Sequence, residues 1–455
     1  MTAVSGAAVT DHTDRRLLAR VADAQATGRL PSVVAGVVRD GGAAWFGSYG
    51  GPAVEGHDAL DVQYRIGSIT KTMTAVLVLQ DVRDRRVALE DPVSAVLPDL
   101  DGHPFGALTL RALLAHDSGL QSEPNGSWWE RTAGVGFDEL LRSHEAVRAP
   151  FGVHERFHYS NLGFALLGEV AARLAGGTWW DAVQRRVLRP LGMGRTTYVP
   201  TGAAAPGWSV HPYEGTLVPE PATDTAAMAP AGQVWATVRD LATYAAFLGT
   251  GHPDVLSAEE LRSAFGPRSG SPDDGLGYAH GLGFQVFPGG SGSLPGHSGS
   301  MPGFLAACLV DPPRRTGAVV LTNATTGFSP VALAVGLLEE LEECEPTLPT
   351  PWRPSGPLPP ELAGVPGVWH WGNTAFVFAL EGDELVARRS GDEMYRFVIA
   401  DDGRVLGRSG YHAGEELRVV RRDDGAVGHL EIATFVYTRT PYDPDAPVPG
   451  GHPER

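Results

Sequence analysis

The spacing of apolar residues changes period several times along the chain. Residues 14–28 (DRRLLARVADAQATG) repeat at helical intervals, and the compact apolar runs SVVAGVVRD (32–40) and AAWFGSYG (43–50), joined through Gly41-Gly42, predict a β-hairpin. Helical spacing then dominates to about residue 190, in RALLAHD, DELLRSHEAV and NLGFALLGEVAARLAG, each closed by a turn or a glycine. Between 281 and 322 the segments GLGFQVF, GFLAACLVD and GAVVLTN return to strand character, and SPVALAVGLLEELEE (329–343) predicts a closing helix. A hairpin, then helices, then strands that must rejoin the first pair gives an α+β unit over residues 1–344, an antiparallel sheet flanked by helices. Residues 345–364 (EPTLPTPWRPSGPLPPELAG) are proline-rich and predict a linker. In 365–455, short alternating strands separated by Gly and Asp-Gly turns predict a second, small antiparallel β-barrel of about 90 residues.

Composition narrows the function classes. The chain has 455 residues, 43% hydrophobic and 20% charged, as expected of a globular protein of more than one core. Its formal charge of −17 argues against nucleic acid or an anionic membrane surface as partner. The opening MTAVSGAAVTDHTDRRLLAR has no basic head or unbroken apolar run, and nothing approaches the ~20 apolar residues of a membrane span, so the expected location is the cytoplasm. Cys308 and Cys344 are too few for a disulfide framework and lack metal-ligand spacing.

Candidate chemistry starts from one residue. Of the 36 Lys and Arg, Lys71 is the sole lysine. A guanidinium stays charged, whereas an amine can be neutralised by burial, so a lone lysine points to proton transfer. Ser68 precedes it by three near the start of a helical stretch, which puts hydroxyl and amine on one face, where the helix N-terminus favours an alkoxide. A second group is Tyr159 with Asn161, alternate residues just before a helix, offering a phenol for proton transfer and a carboxamide to orient a substrate carbonyl. A buried tyrosine beside a helix-capping asparagine is the structural alternative. A third is LPGHSGSMPGF (294–304), with His297 and Gly299 on a Gly-rich path into a strand, whose edge can pair with an extended acyl substrate and whose amides can hold an oxyanion.

In this order, Ser68-Ile69-Thr70-Lys71, Tyr159-Ser160-Asn161 and His297-Ser298-Gly299 resemble the motifs of the penicillin-recognising serine hydrolases: class C beta-lactamases, DD-peptidases, and related esterases and D-amino-acid peptidases. The segments LTLRALLAHDSGL, RPLGMGRTTY and PAGQVWATVRDLATYAAFL agree, and the resemblance spans roughly residues 10–340. It implies a beta-lactamase-like fold and an acyl-enzyme on Ser68, with Lys71 and Tyr159 sharing the roles of base and proton donor in an order left open. It also implies an oxyanion hole from the amides of Ser68 and Ser300, and no cofactor. His297 stands where beta-lactamases usually place a carboxylate-binding lysine, which favours an esterase, peptidase or acyl transferase.

HERFH (154–158) competes, because it matches the zinc-hydrolase pattern His-Glu-x-x-His. That chemistry needs a helix, and here the helix begins only after Asn161. The appended barrel resembles the lipocalin-like domain of D-stereospecific peptidases and esterases, and of penicillin-binding-protein-type thioesterases that release and cyclise nonribosomal peptides. That resemblance implies a small-molecule or peptidyl acyl substrate ending in a D-residue, a peptidyl carrier protein as partner, and either hydrolysis or aminolysis. It places Arg439 on a late barrel strand as an arginine that reaches the cleft, the alternative being a solvated rim charge.

Overall fold

The first helix, Asp11–Gly28, begins ahead of its apolar stripe because the Thr10 side chain accepts from Thr13 N and Asp11 and Asp14 occupy the positive first turn. The computed structural model describes residues 8–441 apart from 52, 145–148, 271–276, 278, 350, 353 and 355. The end of the DELLRSHEAV segment and the barrel tail, 442–455, lie outside the described residues; the helix there runs Phe137–Arg142. Two compact units divide the chain, Met1–Thr347 and Leu348–Arg455.

In the first unit the hairpin Ser32–Arg39 and Gly42–Gly50 forms as the apolar runs predict. Its turn is Asp40-Gly41, both at positive φ, with Arg39 facing Gly42. That left-handed pair suits the right-handed twist of two strands. The late strand Thr316–Thr322 rejoins the hairpin by pairing antiparallel with Ser32–Arg39. Phe304–Asp311, Gly292–Met301, Gln285–Gly289, Ala279–His280 and Ser269–Gly270 follow in order and complete an eight-stranded sheet. The Gly-rich path of the sequence reading is itself the strand Gly292–Met301, and GLGFQVF becomes strand only from Gln285 because Gly283, at φ +84, turns the chain.

Both faces of this sheet are covered, which explains why its strands read as apolar runs without alternation. Val33, Ala35 and Val37 face a core with Leu17, Val21 and Leu337 of the two terminal helices, Asp11–Gly28 and Pro330–Cys344. Val34 and Val38 face the larger helical layer. Arg16 and Arg20 both reach the buried Glu340 carboxylate, tying the first helix to the last.

The second unit is an up-and-down barrel of eight strands from Gly367 to Tyr437, each antiparallel to the next. It closes through a backbone bridge between His370 and Thr438, with N–H···O distances of 2.7 and 2.9 Å. Trp369, Phe376, Phe378, Phe397 and Tyr437 fill its interior from alternate positions. Among the described residues no helix is long and apolar enough to cross a membrane.

One contact locks the sheet to the helical layer. A Cβ on Gly299 would lie 2.0 Å from the Ile66 carbonyl oxygen, so the strand Gly292–Met301 sits directly against the chain entering the helix Ile69–Arg83. Gly299→Ala must push the two apart, and the expected result is a loss of about 1–3 kcal/mol, read as a lower midpoint of thermal unfolding. An unchanged midpoint would show that the strand is not seated as described.

Candidate active site

The helix Ile69–Arg83 is buried all round through its first three turns, as its apolar sequence allows. Gly67 turns into it at φ +54, where a Cβ would meet Ser300 N at 2.5 Å, and Ser68 follows at the N-cap. Lys71, one turn along, is fully buried. Its Nζ lies 2.8 Å from Ser68 Oγ and 2.8 Å from the Ala231 carbonyl oxygen. Burial lowers the amine pKa from the ordinary lysine value to about 7, against the opposing pull of Glu123 and Glu130. A neutral amine beside a serine hydroxyl can accept its proton.

The Tyr159 ring lies 5.0 Å from Lys71 Nζ and stacks on His116 at 4.3 Å. His280 and His297 complete the surround at 5.8 and 6.2 Å. All three histidines are buried, and burial, with the neighbouring Lys71 and histidines adding to it, holds their pKa values down, that of His280 to about 3. The tyrosine is therefore bedded among uncharged rings.

Two stretches register this bed. His116–Ser122 runs alongside the segment that carries Tyr159: His158 N donates to His116 O at 2.7 Å, Ser160 N to His116 Nδ1 at 3.0 Å, and Asn161 N to Ser122 O at 2.7 Å. His116 itself takes a left-handed φ of +55 to present both groups. The helix Asn161–Ala175 is capped by Ser160, whose Oγ accepts from Gly163 N, so Asn161 is not the cap. Its Nδ2 instead donates to Glu123 Oε1 at 2.7 Å, while its buried Oδ1 has no hydrogen-bond partner among the described residues. The atom left open is an acceptor, which suits a substrate N–H and not the substrate carbonyl that the sequence reading gave this amide to orient, since the Nδ2 group is directed at Glu123.

On the other wall His297 Nδ1 lies 2.6 Å from the Ser298 carbonyl oxygen, so that nitrogen carries the proton and Nε2 presents a lone pair. Ser300 is exposed, its N–H at the Gly67 turn. Successive N–H groups of a strand alternate, so Ser298 and Ser300 address the same edge.

Sequence reasoning found Ser68, Lys71, Tyr159, Asn161, His297, Gly299 and Ser300, and the fold brings them together. It missed Glu123, Trp129, His116 and His280. Glu123 accepts from both Asn161 and, at 2.7 Å, Trp129 Nε1; the cue was an acidic residue three positions after HDSGL, with no spacing to mark it. The zinc reading of HERFH is corrected: residues 153–155 turn and 156–158 continue without helix, with His154 on Asp117 and His158 on Ser122, so the two imidazoles never share a helical face. Among the described residues no three His, Cys, Asp or Glu side chains gather as a metal cage. Arg439, expected on a late strand, lies just past the last one, Phe435–Tyr437; it is exposed, as a rim residue would be, stacks 3.8 Å over Trp369 and donates to the carbonyls of Gly364 and Val368, which anchors it within its own unit.

Comparison with known proteins fits this geometry. Residues 17–341 match the family model described as Beta-lactamase, and residues 358–439 match a domain of unknown function (DUF7586). Beta-lactamase-like protein 2 of Dictyostelium discoideum is 28% identical over 276 residues, 57% of this chain and 49% of that protein. The chain thus spans about half the length of the curated relatives it matches first. The octameric penicillin-binding protein homologue from Pyrococcus abyssi superposes with a TM-score of 0.65 at 22% identity, covering 94% of this chain and 100% of that one, a likeness of fold. A D-stereospecific amidohydrolase from Streptomyces sp. gives 0.59 at 25% identity, covering 73% and 98%. The chain belongs to the beta-lactamase family of serine hydrolases, which includes DD-peptidases and D-amino-acid amidases.

Proposed function

We propose that the protein transfers acyl groups through an acyl-enzyme on Ser68, cleaving ester, thioester or amide bonds of compounds that contain D-amino acids. The observation that carries this is a buried amine, its pKa near 7, set 2.8 Å from the Ser68 hydroxyl. Neutral Lys71 takes the Ser68 proton as Oγ bonds to the acyl carbon, and the amides of Ser68 and Ser300 receive the oxyanion. The acyl–leaving-group bond then breaks, and the leaving group collects a proton through Tyr159 and Lys71. Water or an amine repeats the sequence in reverse to free the acyl group.

Glu123 supports the substrate class. Its carboxylate is fixed by Asn161 and Trp129, and among the described residues no cation pairs with it. It suits an ammonium: the α-amine of a D-aminoacyl substrate, or the incoming amine when a peptide closes on itself. The likeness to a D-stereospecific amidohydrolase supports the D-configuration. In its finer form the proposal is release and cyclisation of peptidyl thioesters delivered by a carrier protein, for which a D-terminated peptidyl thioester should yield a cyclic product rather than only linear acid.

A fluorophosphonate probe read by intact mass should add once to the wild type and not to Ser68→Ala. With a D-aminoacyl ester, Lys71→Arg should lower kcat/KM by about 10²–10⁴-fold, because a guanidinium cannot give up its proton. Lys71 acts as a base only when neutral, so kcat/KM should rise with pH through about 7; a flat profile from pH 5 to 9 would remove it from that role. Glu123→Gln should cost at least about 10-fold in kcat/KM on free-amine substrates and much less on their N-acetyl counterparts, the difference measuring a charge-assisted contact.

A further inference from the structure

Beyond Gly296, the strand Gly292–Met301 loses its neighbour on one side. Gln285–Gly289 pairs with it only from Gly292 to Gly296, and among the described residues no strand pairs with that edge from His297 onward, beside Ser68. At one point that edge is already filled. Gln285 Oε1 lies 2.8 Å from Ser298 N and 2.9 Å from Ser298 Oγ. A backbone N–H can only donate, so the Gln285 atom facing it is the oxygen; the Ser298 hydroxyl, meeting the same oxygen, must donate as well. Both donors that Ser298 could offer a ligand are spent inside the protein.

The flanking groups do not replace them. His297 gives its Nδ1 proton to the Ser298 carbonyl and keeps only a lone pair at Nε2, and it stays uncharged because it is buried beside Lys71 and His280. In return Gln285 has only its own uncharged NH2 group to donate. A carboxylate is held well by charged donors, and at this edge it would meet Gln285 Oε1, an imidazole lone pair and no charged donor, the Gln285 NH2 group being the one neutral donor on offer. Ser300 N–H, two residues on, remains directed at the acyl carbonyl.

We propose that Gln285 is a specificity-determining residue: by occupying Ser298 it closes the cleft to leaving groups that carry a carboxylate, so the enzyme acts on acyl compounds whose leaving group carries no negative charge. This rests on the acyl-serine reading above and adds to it the chemistry of the departing half of the substrate. Gln285 is all but buried and held in a strand, so the occupation of Ser298 is built into the sheet and not a chance surface contact.

The test uses one D-aminoacyl thioester with two leaving groups, thioglycolate and its methyl ester, which differ in charge and by one methyl group, each kcat/KM being divided by the uncatalysed hydrolysis rate of the same thioester. The wild type should favour the methyl ester by at least about 10-fold in kcat/KM. Gln285→Ala, which releases the Ser298 N–H and hydroxyl, should shrink that preference by about 10-fold or more, the value of a hydrogen bond to a charged group. Gln285→Glu, which keeps both donors occupied and adds a charge, should widen it. Removing the freed hydroxyl in Gln285→Ala/Ser298→Ala should restore part of the preference. A wild type that prefers the thioglycolate, or a ratio that is the same in all variants, overturns the inference while Ser68 labelling leaves the acyl-serine reading standing. Absence of acylation by both thioesters and by the fluorophosphonate defeats that reading and this inference with it.

Discussion

The site depends on the exclusion of water from a single amine. Lys71 sits where no solvent reaches, and moving its pKa from 10.5 to about 7 corresponds to a penalty on the ammonium on the order of 5 kcal/mol. Between those two pH values the unfolded chain binds a proton on this residue that the folded chain does not, so the site lowers stability there, and less so as pH rises. The neighbourhood makes sense as the means of keeping that state. A helix buried on every side through its first turns carries the amine inward, Ala231 O gives it one fixed acceptor, and the histidines around Tyr159 are buried deeply enough to stay neutral. Charging any of them would oppose a proton on Lys71 and disturb the ring on which it rests.

Charge in the cleft is therefore distributed one way. Glu123 presents a fixed carboxylate on one wall, while the opposite wall offers an uncharged imidazole and a serine whose donors are taken. On the function and the leaving-group selectivity proposed above, the substrate is cationic on its acyl side and uncharged on its leaving side. The scaffold is that of the family; the selection comes from a few side chains laid over the same backbone.

What could be read from the sequence was what lies close together in it. Ser68 and Lys71 are one helical turn apart, Tyr159 and Asn161 alternate, and His297 and Gly299 alternate on a strand, so local periodicity carried each pair. The two-unit organisation followed from the proline-rich break and the change of period. Glu123, His116, His280 and Gln285 were not readable, because each matters through a contact with a residue distant in sequence. His116 reaches Tyr159 across more than one element, and Gln285 reaches Ser298 only once two strands pair. HERFH shows the converse: its spacing is right for a metal site, but a spacing has chemical meaning only in the conformation it assumes, and here that is not a helix. The cap of the helix Asn161–Ala175 moved by one residue for a similar reason, since Ser160 could satisfy Gly163 N and leave Asn161 to the cleft.

The pairing of the first hairpin with Thr316–Thr322 bears on how the protein is made. Ser32 N–H bonds to Asn323 Oδ1 across 291 residues, and the middle of the sheet, where Ser32–Arg39 and Thr316–Thr322 lie side by side between Gly42–Gly50 and Phe304–Asp311, is complete only when both chain regions exist. During synthesis the Ser32–Arg39 strand must wait with one edge bare while the ribosome makes nearly the whole catalytic unit. Sheets built on such distant partners fold slowly and are prone to pairing with the wrong chain in the interval. The short barrel, whose strands each pair with the next as they emerge, carries no such delay, so the unit made later is well placed to finish folding early.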